Sequence, residues 1–371
     1  MCSPYLTYVD FLMIPFSFQQ KAELPQHPLP IVSIGVGGIV HDAHYPAYQI
    51  AGFQVVGAYD RNAEQAQTMQ EKFNIPQLYA SLQEAVSQSP ADAVFDIAVP
   101  GYAILDILRE IPDGRAVLIQ KPMGENLNDA RAILKLCREK NLKAAVNFQL
   151  RFAPYIIAAR SIIEQGLIGD VWDIEARIQT FTPWSIWPFL NGLPRLEILY
   201  HSIHYVDLFR SFLGTPEKVY AKTLKHPLNP QLASTCSTII FDYGERARAN
   251  IMTNHGHVYG QDKQESYIKW EGSKGAIQAS MGVNLNYPLG ERDIFEYVLL
   301  DERTTPEWKT LDIEGSWFPH AFIGTMSSLM RYVNGEMDTL PISVEDAFMT
   351  MATVEAAYES SEHGGTAIPQ Q

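Results

Sequence analysis

The sequence predicts an α/β protein of two domains: a doubly wound parallel sheet, then an α/β domain with an open, mostly antiparallel sheet. Three stretches predict it. Residues 31–40, Ile-Val-Ser-Ile-Gly-Val-Gly-Gly-Ile-Val, form a short apolar run that breaks into glycines before a helix-compatible segment. From there to Asn147, strand-like and helix-like stretches alternate, which implies right-handed βαβ crossovers with helices on both faces of a parallel sheet. From Lys218 onward the chain is rich in strands separated by turn residues, and antiparallel pairing is the natural result.

In order, strands are expected at 31–35, 53–59, 93–99, 116–120 and 143–148, with helices at His44–Ala51, Ala63–Phe73 and Ser81–Gln88. A helix over Ala153–Gln165 then stops at Gly166, a strand runs from Val171 to Thr180, and an aromatic loop extends to about Pro194. Further strands are expected at 219–224, 235–241, 246–253, 266–271 and 275–278. Two helices close the chain, Met326–Asn334 and Val344–Ser361; Ser343 suits an N-cap, Glu345 and Asp346 suit the positive helix end, and Gly364-Gly365 stops it. The expected divisions are an extension over 1–28, a first domain over 29–149 and a second over 150–371.

Bulk properties agree with two cores. A chain of 371 residues exceeds what one core usually spans, roughly 250–300 residues. Its 46% hydrophobic and 19% charged residues fit a globular protein. The net charge of −14 works against nucleic acid or an anionic membrane as a partner. Cys2, Cys137 and Cys236 form no C-x-x-C pair, so neither a disulfide framework nor a thiolate zinc site is expected, and a reducing cytoplasm suits them. No apolar window approaches the ~18 residues of a membrane span. Near the start, the run Phe11-Leu-Met-Ile-Pro-Phe16 follows Asp10, and no Lys or Arg precedes Lys21. A secretory signal needs a basic start; the segment is expected to be a disordered or swapped extension, with Met13 a second candidate beginning.

The glycine turn carries the first chemistry. Gly35 permits a tight turn after a buried strand, and Gly37, lacking a Cβ, lets backbone approach a pyrophosphate at a helix N-terminus. Gly38 and Ile39 belong to the same turn. The third glycine position of G-x-G-x-x-G is Val40, so the fingerprint is incomplete. Downstream, the strand Phe53–Tyr59 ends at Asp60-Arg61. A carboxylate about 20 residues past the turn can accept hydrogen bonds from an adenosine ribose. Asp60 thus favours NAD over NADP, because it would repel a 2′-phosphate, although Arg61 could compensate or stack on adenine. Val99-Pro100 and Gln120-Lys121 end strands whose carboxyl edge borders the same crevice. Lys121 either points into that crevice or caps the sheet in solvent.

Gly35/Gly37, Asp60, Gln120-Lys121-Pro122, Asn147-Phe-Gln-Leu-Arg151-Phe-Ala-Pro154, His204-x-x-Asp207 and the tail Glu345…Ser361, in this order, resemble the Gfo/Idh/MocA family. The likeness runs from Ile31 to about Gly365. It implies a Rossmann domain, a second α/β domain often used for dimer or tetramer contacts, and NAD(P)-dependent oxidation or reduction of sugars, polyols or related hydroxy compounds. It also implies that Lys121 binds the reacting hydroxyl and supports proton transfer. Gln120 stands where the family usually has glutamate, and Tyr200 where its Asp-x-x-x-His element has aspartate.

On this reading His204 is the general acid/base, with a side chain that titrates near neutrality, Tyr200 assists Lys121, and Asp207 one turn on orients His204. His201 is a further substrate contact, though one of the two histidines is expected to pack on the core side. A metal between them is not expected. In the loop Phe181–Gly192, Trp184 and Trp187 either face a sugar ring or form a hydrophobic plug. Arg151 either binds substrate or braces the domain junction. His255 and His257 fit a solvated loop better than the pocket. Two rivals share the architecture: a glycosidase that retains NAD and oxidises its sugar transiently, and a non-catalytic dinucleotide-binding sensor.

Overall fold

The computed structural model describes residues 16–287, 289–301 and 303–365. The first domain is a six-stranded parallel sheet with strand order β3-β2-β1-β4-β5-β6. Its strands are β1 (Ile31–Ile34), β2 (Val55–Tyr59), β3 (Gln77–Leu78), β4 (Val94–Ile97), β5 (Ala116–Ile119) and β6 (Lys143–Val146). Burial explains their composition. β1, β4 and β5 are buried at every position, as strands covered on both faces must be, so they read as unbroken apolar runs with only Ser33 and Asp96 inside.

Between the strands lie α1 (Tyr45–Ala51), α2 (Ala63–Phe73), α3 (Leu82–Gln88), α4 (Ile104–Glu110) and α5 (Leu127–Glu139). Asn62, Ser81 and Asn126 cap α2, α3 and α5 through their side-chain oxygens. The first helical path starts earlier than expected. Gly37 O accepts from Val40 N and His41 N at 3.0 and 3.1 Å, and a π-helical turn over Val40–His44 runs straight into α1.

The second domain packs α6 (Pro154–Glu164), α7 (Ile203–Leu213), α8 (Ala321–Val333) and α9 (Val344–His363) against an eight-stranded sheet. The sheet comprises β7 (Val171–Gln179), β8 (Lys218–Leu224), β9 (Cys236–Asp242), β10 (Arg248–Asn254), β11 (Glu265–Gly272), β12 (Gly275–Ser280), β13 (Ile294–Leu299) and β14 (Lys309–Leu311). Its order is β14-β13-β12-β11-β7-β10-β9-β8. Among the described residues one pair is parallel, β7 with β10; the others are antiparallel. Side chains alternate: Ile239, Phe241, Ile251 and Trp270 are buried on the helix side, while Tyr220, Ile240 and Met252 are exposed.

α8 begins at Ala321, ahead of the expected Met326. Gly324 weakens the helical signal there, yet a Cβ on it would lie 2.4 Å from Phe152 Cβ, so close approach of α8 to the 149–152 turn accounts for the glycine. The two domains are tied where the chain returns: Val146 N donates to Ile342 O at 2.8 Å, and Ser343 accepts from Asp346 N to cap α9. Residues 16–28 correct part of the expected extension. Phe16 packs edge-on to Tyr297 at 5.3 Å, Gln19 N donates to Ser161 Oγ at 3.1 Å, and Lys21 pairs with Glu314 at 2.6 Å, so this arm lies along its own chain's second domain. The run from Phe11 and Met13 lies outside the described residues. No described helix is long and apolar enough to cross a membrane.

Candidate active site

In a doubly wound sheet the ligand crevice opens at the carboxyl ends of the strands where the order reverses, here between β1 and β4. Gly35, at φ +89°, makes the turn after β1; a Cβ there would lie 2.4 Å from Ala98 O. Gly37 and Gly38 have no atom within 4 Å of where a Cβ would stand, which leaves the turn clear for a closely approaching group. Asp60, at the end of β2, accepts from Val36 N and Asn62 N, both at 2.8 Å, and so fixes the glycine turn and the start of α2 together. Arg61 is exposed. These features fit a dinucleotide, with Gly37, Gly38 and Ile39 at the pyrophosphate side and Asp60 at the ribose side.

From this turn a cavity of about 560 Å³ runs to the second domain. Gly37, Gly38, Ile39, Val99, Pro100, Gln120 and Lys121 line it from the first domain. Tyr200, His201 and His204 line it opposite, with Trp187 and Phe189 from the aromatic loop. Lys121 thus faces the crevice instead of capping the sheet in solvent. Its Nζ donates to Tyr200 O at 2.9 Å, and burial pulls its ammonium down to about 8.

Both histidines reach the cavity, so the expectation that one would pack away from it is corrected. His204 lies edge-on to Trp317 at 5.4 Å, and its Nδ1 is buried without a hydrogen-bond partner among the described residues. Burial, then Lys121 and His201, hold the His204 imidazole well below its ordinary value. His201 is lowered likewise, by burial, His255 and Lys121. Both shifts favour the neutral ring.

Three further expectations are corrected. Tyr200 Oη donates to Glu125 Oε1 and Oε2, both at 2.9 Å, and burial and that carboxylate push its phenol far above the ordinary range. Its hydroxyl is engaged by Glu125, and it is its main-chain carbonyl that meets Lys121. Asp207 does not orient His204: its carboxylate accepts from Arg151 Nε and Nη2, both at 2.6 Å, and from Thr350 Oγ1 at 3.0 Å. Arg151 is the other half of that buried pair and also donates to Pro341 O at 2.7 Å and Asp346 at 2.5 Å. Its guanidinium ties the 149–152 turn to α7 and α9, and neither residue lines the cavity.

His255 also departs from expectation. It is buried, lines the cavity and sits 4.5 Å from the His201 ring, with Nδ1 3.0 Å from Thr182 Oγ1 and Nε2 3.5 Å from Glu197 Oε1. Burial would push the Glu197 carboxyl up, but His255 together with the Ser237 and Ser202 hydroxyls holds the group below its usual value. His257 is buried beside Gln179, outside the cavity lining. Trp184 is a buried anchor, joining Leu190, Leu196 and Leu232 in a small cluster of its own, and from it Trp187 and Phe189 reach the cavity. Sequence reading also missed Glu125, Gln149, Tyr287, Trp317 and Phe318. Among the described residues no three His, Cys, Asp or Glu side chains are arranged to hold a metal.

Family models match both halves of the chain: the oxidoreductase family's NAD-binding Rossmann fold over residues 29–148, and its C-terminal alpha/beta domain over 160–368. The chain belongs to the Gfo/Idh/MocA oxidoreductase family. Among curated relatives of this oxidoreductase is a D-apiose dehydrogenase from Rhizobium rhizogenes, 24% identical, covering 90% of this chain and 95% of that one. Another is an NADP-dependent D-xylose 1-dehydrogenase from Haloferax volcanii, 24% identical over 89% and 97% of the two chains. A crystal structure of an oxidoreductase from Agrobacterium radiobacter with NAD+, L-tartaric acid and magnesium shares the fold, with a TM-score of 0.76 at 21% identity, covering 91% and 98%.

Proposed function

We propose that this oxidoreductase is an NAD-dependent dehydrogenase acting on a secondary hydroxyl of a sugar or related polyol, with Lys121 exchanging the proton and His204 orienting the hydroxyl. What carries the reading is that one cavity, continuous with the glycine turn, is lined by both side chains, each contributed by a different domain. Gln120, Val99 and Pro100 would hold the nicotinamide end and Asp60 the ribose. When bound, the cofactor supplies the hydride acceptor or donor.

Lys121, anchored on Tyr200 O, keeps its remaining N–H groups for the substrate hydroxyl. As a neutral amine it accepts the hydroxyl proton; as an ammonium it returns one. His204, held neutral, accepts a hydrogen bond and orients the hydroxyl against Lys121. The names of the apiose and xylose dehydrogenases support a sugar as substrate. Stoichiometric appearance of reduced nicotinamide with neutral sugars tests the reading; release of a leaving group without net reduction would favour the NAD-retaining glycosidase instead.

The pH dependence follows from Lys121. Oxidation should rise with pH through about 8 as Lys121 loses its proton, and reduction should fall over the same range. A kcat/KM profile flat through that value would remove Lys121 from proton transfer.

Asp60 supports NAD as the preferred partner. Asp60→Asn keeps an acceptor for Val36 N but loses the charge, and should narrow the NAD-over-NADP ratio of kcat/KM by about tenfold, or 1.4 kcal/mol. An unchanged ratio would leave Asp60 as a turn brace alone.

A homodimer or homotetramer built on the second sheet is supported by the outer face of β8–β10, where Tyr220 pairs across strands with Ile240 and both are exposed, as is Met252. Ile240→Asp should shift the protein to a smaller species in light scattering; no shift would move the interface elsewhere.

A further inference from the structure

We propose that Glu197 and His255 form a buried positioning dyad that sets the ring of His201 at the wall of the cavity, where His201 contacts the substrate beside Lys121. The inference rests on the hydride-transfer reading for what His201 touches, and it adds residues to that site. Three groups carry it: a carboxylate sealed inside the protein, the imidazole it faces, and the second imidazole packed on the first.

Glu197 is 0% exposed, a position where an ionised carboxylate is costly unless it is partnered. It opens a π-helical turn, Glu197–Ser202, that also holds His201 and Tyr200, whose carbonyl meets Lys121. Ser202 Oγ donates to Glu197 Oε1 at 2.7 Å, and His255 Nε2 lies 3.5 Å from the same oxygen. Among the described residues His255 is the one cation-forming side chain paired with this carboxylate. A carboxylate only accepts, so the Nε2 proton faces it, and Nδ1 is left to the Thr182 hydroxyl at 3.0 Å. The backbone fixes the same residue twice more: His255 N donates to Thr235 O at 3.0 Å, and Thr182 N donates to His255 O at 3.1 Å. His255 is therefore held on every side, and both of its nitrogens are directed away from any ligand.

What His255 presents is its ring. Its centroid lies 4.5 Å from that of His201, and Trp184 stands edge-on to both, at 5.2 Å from His201 and 5.6 Å from His255. His201 is thus packed against two rings that are themselves anchored, Trp184 in its own apolar cluster and His255 on Glu197 and Thr182. Among the histidines lining the cavity, Nδ1 of His204 and Nε2 of His255 are sealed from solvent, whereas both ring nitrogens of His201 are open and unpaired among the described residues. A neutral imidazole has one N–H and one acceptor, so an open one held at a fixed angle can give and take hydrogen bonds with a substrate. A site is only as precise as the shell that fixes its contacting side chains; here the shell is a buried ion pair acting through a packed ring.

Two measurements on the full-length protein test this. Diethyl pyrocarbonate, which modifies accessible neutral imidazoles, should label His201 at least about threefold faster than His204 or His255 when peptides are mapped by mass spectrometry. Glu197→Gln keeps the size and the acceptor for Ser202 Oγ but removes the charge, and it should raise His255 labelling about threefold while leaving His204 as it was. With NAD and D-xylose, Glu197→Gln should lower kcat/KM about tenfold in the native chain but less than about twofold in a His201→Ala background, where nothing is left to position. The same factor in both backgrounds would make Glu197 and His255 packing residues and overturn the proposal, as would His201 labelled no faster than His204. Thr182→Val strands no charge and keeps the question open to decision if Glu197→Gln does not fold: it should cost about threefold in kcat/KM, again only where His201 is present. Labelling needs no turnover. A protein that labels as expected yet reduces no NAD with D-xylose or any other neutral sugar would sink the hydride-transfer reading and leave the dyad standing.

Discussion

Lys121→Ala should lower kcat for hydride transfer by about 10³-fold while leaving NAD affinity within about twofold, because general acid–base contributions typically run from 10² to 10⁴. The expectation comes from where the side chain is held. β5 ends at Ile119, and Gln120 and Lys121 continue past the sheet edge into the crevice, where Lys121 Nζ meets Tyr200 O across the domain boundary at 2.9 Å. Burial has already brought its ammonium down to about 8, so it can change protonation during turnover at little cost. The residues proposed to hold a dinucleotide's adenosine and pyrophosphate, Gly37, Gly38 and Asp60, lie at the glycine turn and are untouched by the substitution. Steady-state kinetics alongside a fluorescence titration with NAD separates the two effects. If affinity and kcat fall together by the same factor, Lys121 is holding the site's shape and not moving a proton.

Asp207→Ala should cost about 3 kcal/mol of stability, since it leaves the buried Arg151 guanidinium with only the part-exposed Asp346 as its ionic partner. Asp207 is 1% exposed and Arg151 8% exposed, and the two share a bidentate contact with both N···O distances at 2.6 Å. Around them, Thr350 and Asp346 from α9 and Pro341 from the segment before it complete the set, so the pair locks α7 and α9 to the turn that follows β6. Urea denaturation should report the loss, and the folded fraction should keep its kcat, because neither side chain touches the cavity. The double variant Asp207→Ala/Arg151→Met should recover part of the lost stability by removing a cation left with Asp346 alone. Were the single variant fully stable but inactive, the pair would belong to catalysis after all.

Much of this was legible in the chain because it is written in local patterns. Unbroken apolar strands, capping residues and the glycine turn each depend on a few neighbouring residues, and the alternation of strands and helices specified the parallel sheet. What escaped depended on partners far away in sequence. β13 and β14 were missed because their runs are short and interrupted by charge; β13 is a strand because β12 offers it an edge, and β14 because β13 does. His255 reads as a loop residue until β10 aligns it with Thr182, and Glu125 shows nothing until Tyr200 Oη reaches it from the other domain. Asp207 and Arg151 carry a motif's residue types, yet only coordinates reveal that they satisfy each other. Tyr200 stood out as a substitution, and its role passes through its main-chain carbonyl, an atom every residue type possesses.

The lone parallel neighbours β7 and β10 have one more implication. Two strands running side by side in the same direction release their outgoing segments at a common rim, so Phe181–Leu193 and His255–Gly260 arrive together over the crevice. Insertions or exchanges in either segment would therefore remodel the substrate wall while the hydrogen-bonded ladder beneath and the solvent-side surface of the sheet stay as they are. The cavity's lining can in this way change without disturbing the scaffold that carries it.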